Sequence, residues 1–89
     1  MLLFLEKPSN GKVNQEQQEK TTRELLERFG NNVRKLRKEK EWTQETLAES
    51  ASINDKEVSH IEQGNRNVTL ETLVKISIAL DIDPHLLLN

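Results

Sequence analysis

Residues 43–64 read TQETLAESASINDKEVSHIEQG, and the punctuation of this stretch divides it into a pair of short helices with a tight turn between them. Thr43 is an N-cap residue type, with a hydroxyl suited to accept from a backbone N–H that a new helix leaves unpaired. Leu47, Ala48 and Ala51 follow at the spacing of one helical face, which predicts a helix over residues 44–51. Ser52 and Ile53 interrupt it. Asn54, with Glu57 three positions on, matches a capping box, so a further helix starts at Asp55 and runs to Gln63. It stops at Gly64, the residue type that most readily turns left-handed beyond a helix end.

Val58 and Ile61 are the only apolar residues of this later helix and share one side, which turns Asp55, Lys56, Ser59 and His60 to the other. All of these side chains can hydrogen-bond. A helix of this length with polar tips outward fits the major groove of B-form DNA, where every base pair shows its own pattern of donors and acceptors. The pattern equally describes a short amphipathic helix with a solvated face, and the residues alone leave both readings open.

Thr43-Gln44, Leu47-Ala48, Val58-Ser59-His60-Ile61-Glu62-Gln63-Gly64 and Leu70-Glu71-Thr72-Leu73 together, in this order and spacing, resemble the helix-turn-helix of the Xre family, which includes phage repressor and Cro proteins. The likeness runs from about residue 31 to residue 87. It implies an all-α, five-helix phage-repressor-like domain over residues 21–89, with residues 1–20 expected as a flexible N-terminal arm. The implied function is sequence-specific binding of double-stranded DNA by a transcriptional regulator, as a homodimer on an inverted-repeat operator. The competing expectation is an antitoxin or other protein-interaction module on the same fold, favoured by the net charge of -2 and by Asp55 and Glu57 on the reading helix.

The resemblance also distributes roles. Lys56 and His60, then Asp55 and Ser59, are the candidates for contact with base edges. Gln44, at the start of the first short helix, is placed to bridge a phosphate and the reading helix or to bond an adenine edge, and Thr43 with the free N–H groups of that helix terminus suits an anion. Asn65 and Arg66 match positions that clamp the sugar-phosphate backbone, with Arg34 and Lys38 adding charge. Arg37 and Glu62 match positions whose side chains pair between the first helix and the end of the reading helix, a structural rather than a reading role.

Upstream, Leu25, Phe29, Val33 and Leu36 recur at helical spacing behind a Thr21/Glu24 capping box, which predicts a helix over residues 22–40. Gly30 is its weak point, since a mid-helix glycine costs roughly 1 kcal/mol against alanine, and a fresh start near Asn31 is the alternative. Glu41 and Ser52 stand where the family has glycine, so each turn is expected to strain a non-glycine residue. Downstream, Thr69 caps a helix apolar on more than one side, and Asp83-Pro84 opens a last short helix ending in Leu86, Leu87 and Leu88. So much apolar surface points to a homodimer formed through the C-terminal helices, with a toxin or other protein as a further possible partner.

The 89 residues suffice for one small domain, and with two Phe, one Trp and no Tyr its core must be aliphatic. The absence of cysteine removes disulfides, thiolate zinc sites and thiol catalysis. His60 and His85 are the only histidines, and with no paired metal-ligand spacing or Gly-rich cradle the expectation is no enzyme, no cofactor and no metal. Charge is unevenly spread: Arg34, Lys35, Arg37, Lys38 and Lys40 crowd one segment, while beyond Asn67 the acids Glu71, Asp81 and Asp83 face Lys75 alone. Residues 1–5, MLLFL, are too few to cross a bilayer, so a cytoplasmic location away from membranes is expected.

Overall fold

The computed structural model describes residues 12–89. Four α-helices, α1 (Gln15–Glu39), α2 (Gln44–Ala51), α3 (Asp55–Gln63) and α4 (Leu70–Leu80), are followed by a 3-10 helix, Pro84–Leu88. The last of the five expected α-helices is thus a 3-10 helix. Asp83 caps it by accepting from the His85 N–H at 2.9 Å, and a five-residue segment opened by proline is too short to settle into wider turns. No strand occurs among the described residues. None of the described helices is long and apolar enough to cross a membrane.

The short helices keep to their predicted limits because their ends are set by local side-chain chemistry. Thr43 Oγ1 accepts from the Thr46 N–H at 3.0 Å, and Thr69 Oγ1 accepts from the Thr72 N–H at 3.1 Å. Asn54 caps α3 differently from the expected box. Its Oδ1 takes the Lys56 N–H at 2.7 Å, and Glu57 turns away to lie 3.5 Å from the Thr72 hydroxyl on α4. Glu57 thereby joins two elements instead of closing its own cap.

The first helix corrects the sequence reading at its start. It begins at Gln15, so residues 15–20 of the expected arm are helical, whereas residues 1–11, MLLFL among them, lie outside the described residues. Asn14 is the N-cap, and Gln15 to Glu19 and Gln18 to Thr22 are linked by hydrogen bonds four residues apart. This segment has no apolar stripe to betray it; its helicity rests on good helix formers continuing a rod that the core already holds. Thr21 and Thr22 are interior to the helix and cap nothing, the Thr22 hydroxyl donating to the Gln18 carbonyl at 2.7 Å.

Gly30 neither breaks nor restarts α1. A Cβ there would lie 2.2 Å from the Ile61 carbonyl oxygen and 3.2 Å from that of Glu62, so the missing side chain is what lets the backbones of α1 and α3 touch. Around this contact Phe29, Val33, Leu47, Ala48, Ala51, Val58, Ile61, Ile76, Leu80 and Leu87 form the core. Asn32 closes it at the chain's far end, donating from Nδ2 to the carbonyls of Leu87 at 2.9 Å and Asn89 at 3.0 Å.

Among the described residues three corners turn on left-handed residues other than glycine: Glu41 at φ 60°, Ser52 at φ 58° and Asp81 at φ 57°. The strain at Glu41 and Ser52 follows from the residues there, and Asp81 adds another such corner after α4. Each costs on the order of 1 kcal/mol.

Glycine substitutions at these places should act in opposite directions. Gly30→Ala is expected to destabilise by about 1–3 kcal/mol despite alanine's better helix propensity, because backbone atoms cannot yield as a side chain can. Ser52→Gly should raise stability by a few tenths to about 1 kcal/mol. Thermal unfolding followed by circular dichroism measures both, with about 4–8 °C expected per kcal/mol for a domain of this size.

Candidate nucleic-acid interface

The orientation of α3 is fixed by one ionic contact that three elements share. Arg37 of α1 donates from Nε to Glu62 Oε2 at 2.7 Å and from Nη2 to Oε1 at 2.9 Å, in the planar two-bond geometry that guanidinium and carboxylate allow. Its Nη1 donates to the Trp42 carbonyl at 2.8 Å, in the turn before α2. From α2, Gln44 Nε2 reaches Glu62 Oε1 at 3.0 Å. The side chains of Arg37 and Glu62 are 10% and 4% exposed, and no buried side-chain N or O among the described residues lacks a partner. The hydrogen bond to Glu62 raises the Arg37 pKa above its already high ordinary value, against the pull of burial and with help from the carboxylate's charge. On the guanidinium's side that contribution to folding is complete below the ordinary arginine range and is lost as pH rises through the raised value.

With Val58 and Ile61 buried beneath it, α3 presents a polar upper side. Asp55 and Lys56 are exposed at its first turn, and Ser59 and His60 are half-buried one turn on. Since Glu57 inclines toward Thr72 of α4, Asp55 is the remaining acid of that first turn on the open side. Gln63 continues the row and bridges to the following loop: its Nε2 donates to Ser59 Oγ at 3.3 Å, and its Oε1 accepts from Asn65 Nδ2 at 3.0 Å. The sequence reading passed over Gln63, although its position four residues after Ser59 is the spacing that puts two side chains on one helical line.

The backbone-contact candidates fall into separate groups. Thr43 is exposed at the α2 N-terminus, but its hydroxyl already caps the helix, so an anion there would meet the backbone N–H groups of the first turn. Gln44 is committed through one N–H to Glu62, which leaves its other N–H and its carbonyl oxygen for an outside partner. Asn65 and Arg66 are exposed directly after Gly64, whose φ of 72° turns the chain out of α3. Arg34 and Lys38 are exposed one turn apart on α1, and no hydrogen bond joins either to the α2–α3 unit. Among the described residues no group of three or more His, Cys, Asp or Glu is arranged to hold a metal ion.

A short helix held from below with its polar side open, preceded after a tight turn by a second short helix whose first residue, Gln44, bonds its last turn, is the geometry of a helix-turn-helix. A family model described as helix-turn-helix matches residues 33–87. The chain belongs to the Xre-like helix-turn-helix family of DNA-binding transcriptional regulators. Among its relatives is control protein C.MunI of Mycoplasma sp., 48% identical over 56 residues that make up 62% of this chain and 76% of that protein. Control protein C.BamHI of Bacillus amyloliquefaciens is 42% identical over 62 residues, 68% of this chain and 76% of that one. The crystal structure of the restriction-modification controller protein C.AhdI from Aeromonas hydrophila superposes with a TM-score of 0.67 at 42% identity, covering 70% of this chain and 94% of that one.

Within this family member the Arg37–Glu62 contact should behave as a unit. Arg37→Met or Glu62→Met alone is expected to cost about 3–5 kcal/mol, because each strands a buried charge, while the double variant should cost clearly less than the sum. A double-mutant cycle on thermal unfolding measures the coupling, and strictly additive losses would show that there is none.

Proposed function

We propose that this regulator is a controller protein of the restriction-modification type that acts as a homodimer on an inverted-repeat operator, with α3 of each subunit in a major groove. The observation that carries the reading is the open row of Asp55, Lys56, Ser59 and His60 on a helix whose opposite side is locked in place. Lys56 is assigned to guanine O6 or N7 and His60 to a neighbouring base edge, with Ser59 and Asp55 completing the readout. Asn65, Arg66, Gln44 and the N–H groups after Thr43 hold phosphates and set the register, with Arg34 and Lys38 contributing longer-range attraction. Similarity to several control proteins supports the choice of regulator type.

Dimerisation is supported by the surface of α4. Leu70, Val74 and Ile78 stand at intervals of four residues and are 79%, 44% and 74% exposed, and Leu86 of the 3-10 helix is 50% exposed. A stripe of this kind, continued around Pro84 and Leu88, suits a self-complementary patch. To read two half-sites at once, a two-fold pair needs its reading helices about 34 Å apart, one turn of DNA, and the site is then palindromic. Ile78→Glu is expected to yield a folded monomer by sedimentation and to weaken operator binding at least tenfold.

Selection of bound sequences from random duplexes, followed by affinity against salt, tests the whole reading: an inverted repeat and a steep fall of affinity with salt are expected. Lys56→Ala should then relax the preference at one base position in each half-site at a cost of about 1–3 kcal/mol, whereas Arg66→Ala should weaken all sequences alike. Recovery of a tightly bound protein partner such as a toxin, with no selected sequence, would favour the interaction-module reading instead.

A further inference from the structure

If Ser59 reads a base as proposed above, the direction of a single hydrogen bond decides which bases it accepts. A serine hydroxyl can donate or accept, and a hydroxyl free to rotate discriminates poorly. Here it is not free. Gln63, one turn along α3, donates from Nε2 to Ser59 Oγ at 3.3 Å, and its own Oε1 is occupied by Asn65 Nδ2 at 3.0 Å. An amide whose oxygen is engaged on one side has only its NH2 to offer on the other. The Ser59 oxygen therefore spends one of its two lone pairs within the protein, while its proton has no partner among the described side-chain hydrogen bonds and is turned outward from a half-buried position.

We propose that Gln63 is a specificity-determining positioning residue, which biases Ser59 toward donating into the groove and so weights the choice of the base that Ser59 faces. Guanine shows only acceptors at its major-groove edge and cytosine only a donor, so the expected preference at that position is guanine over cytosine on the strand Ser59 faces. The chain Asn65–Gln63–Ser59 also joins a backbone-contact candidate to a base-contact candidate. Seating Asn65 on a phosphate and choosing the base at Ser59 then become parts of one hydrogen-bonded arrangement.

Selection of bound duplexes with the wild-type protein, Ser59→Ala, Gln63→Glu and Asn65→Asp tests this. The position that Ser59 reads is the one where Ser59→Ala flattens the preference. A carboxylate at 63 only accepts, so Ser59 must donate to it and show its lone pairs to the DNA. A carboxylate at 65 draws the Gln63 amide around and has the same effect on Ser59 without altering residue 63. Both variants should shift the guanine-to-cytosine ratio at that position by about five- to tenfold toward cytosine. They should also weaken all sequences uniformly, since each adds a negative charge near phosphates. An unchanged ratio in both variants, or cytosine preferred by the wild-type protein, overturns the role of Gln63 while leaving α3 as the reading helix. Failure of the wild-type protein to select any sequence overturns both.

Discussion

A guanidinium and a carboxylate taken out of water together lose hydration that their mutual attraction restores only in part, so a buried pair of this kind mainly fixes geometry. Arg37 and Glu62 show what that geometry is for. Helices of eight and nine residues, the lengths of α2 and α3, are far too short to persist in water by themselves, and each must be told where to lie by its neighbours. The hydrophobic contacts of Val58 and Ile61 hold α3 down but tolerate rotation about its axis. Two parallel hydrogen bonds from α1 and one from the Gln44 amide to Glu62 remove that freedom, while the bond from Arg37 to the Trp42 carbonyl steadies the guanidinium. Polar side chains on the far face of α3 then point in one direction instead of several.

The pair can form only because α1 comes close enough, and that closeness is a property of the backbone at Gly30. With the Ile61 and Glu62 carbonyls pressed against the helix at this point, any side chain would lever α3 away and carry Glu62 with it. The strained corners at Glu41 and Ser52 belong to the same economy of space. They bracket α2, and each lets the chain reverse within one or two residues, so that all three helices converge on one small core.

Much of this was legible because it was written in side chains acting on their own neighbourhood. Thr43, Asn54, Thr69 and Asp83 mark helix starts through oxygen atoms that reach backbone N–H groups two or three residues away, and such short-range chemistry survives whatever the rest of the chain does. The start of α1 was not legible, since Gln15 to Thr22 bury almost nothing and periodicity is silent without apolar residues. Nor was the use of Gly30, whose meaning lies in a backbone 31 residues away at Ile61. Glu57 had a local partner available and took a distant one, Thr72. At the reading surface the residue types pointed to the face, whereas the link through Gln63 depended on which way an amide turns, here with its oxygen toward Asn65 and its NH2 toward Ser59.

Asn32 carries a mechanical consequence. Its amide grips the last carbonyls of the chain, and it rides on the same rod as Arg37, about 7.5 Å away along the axis. The anchor of the C-terminal turn and the guanidinium that steers α3 are therefore less than one and a half windings apart on one helix. Anchoring of the C-terminal turn and orientation of α3 thus share one support, α1, instead of resting on separate ones.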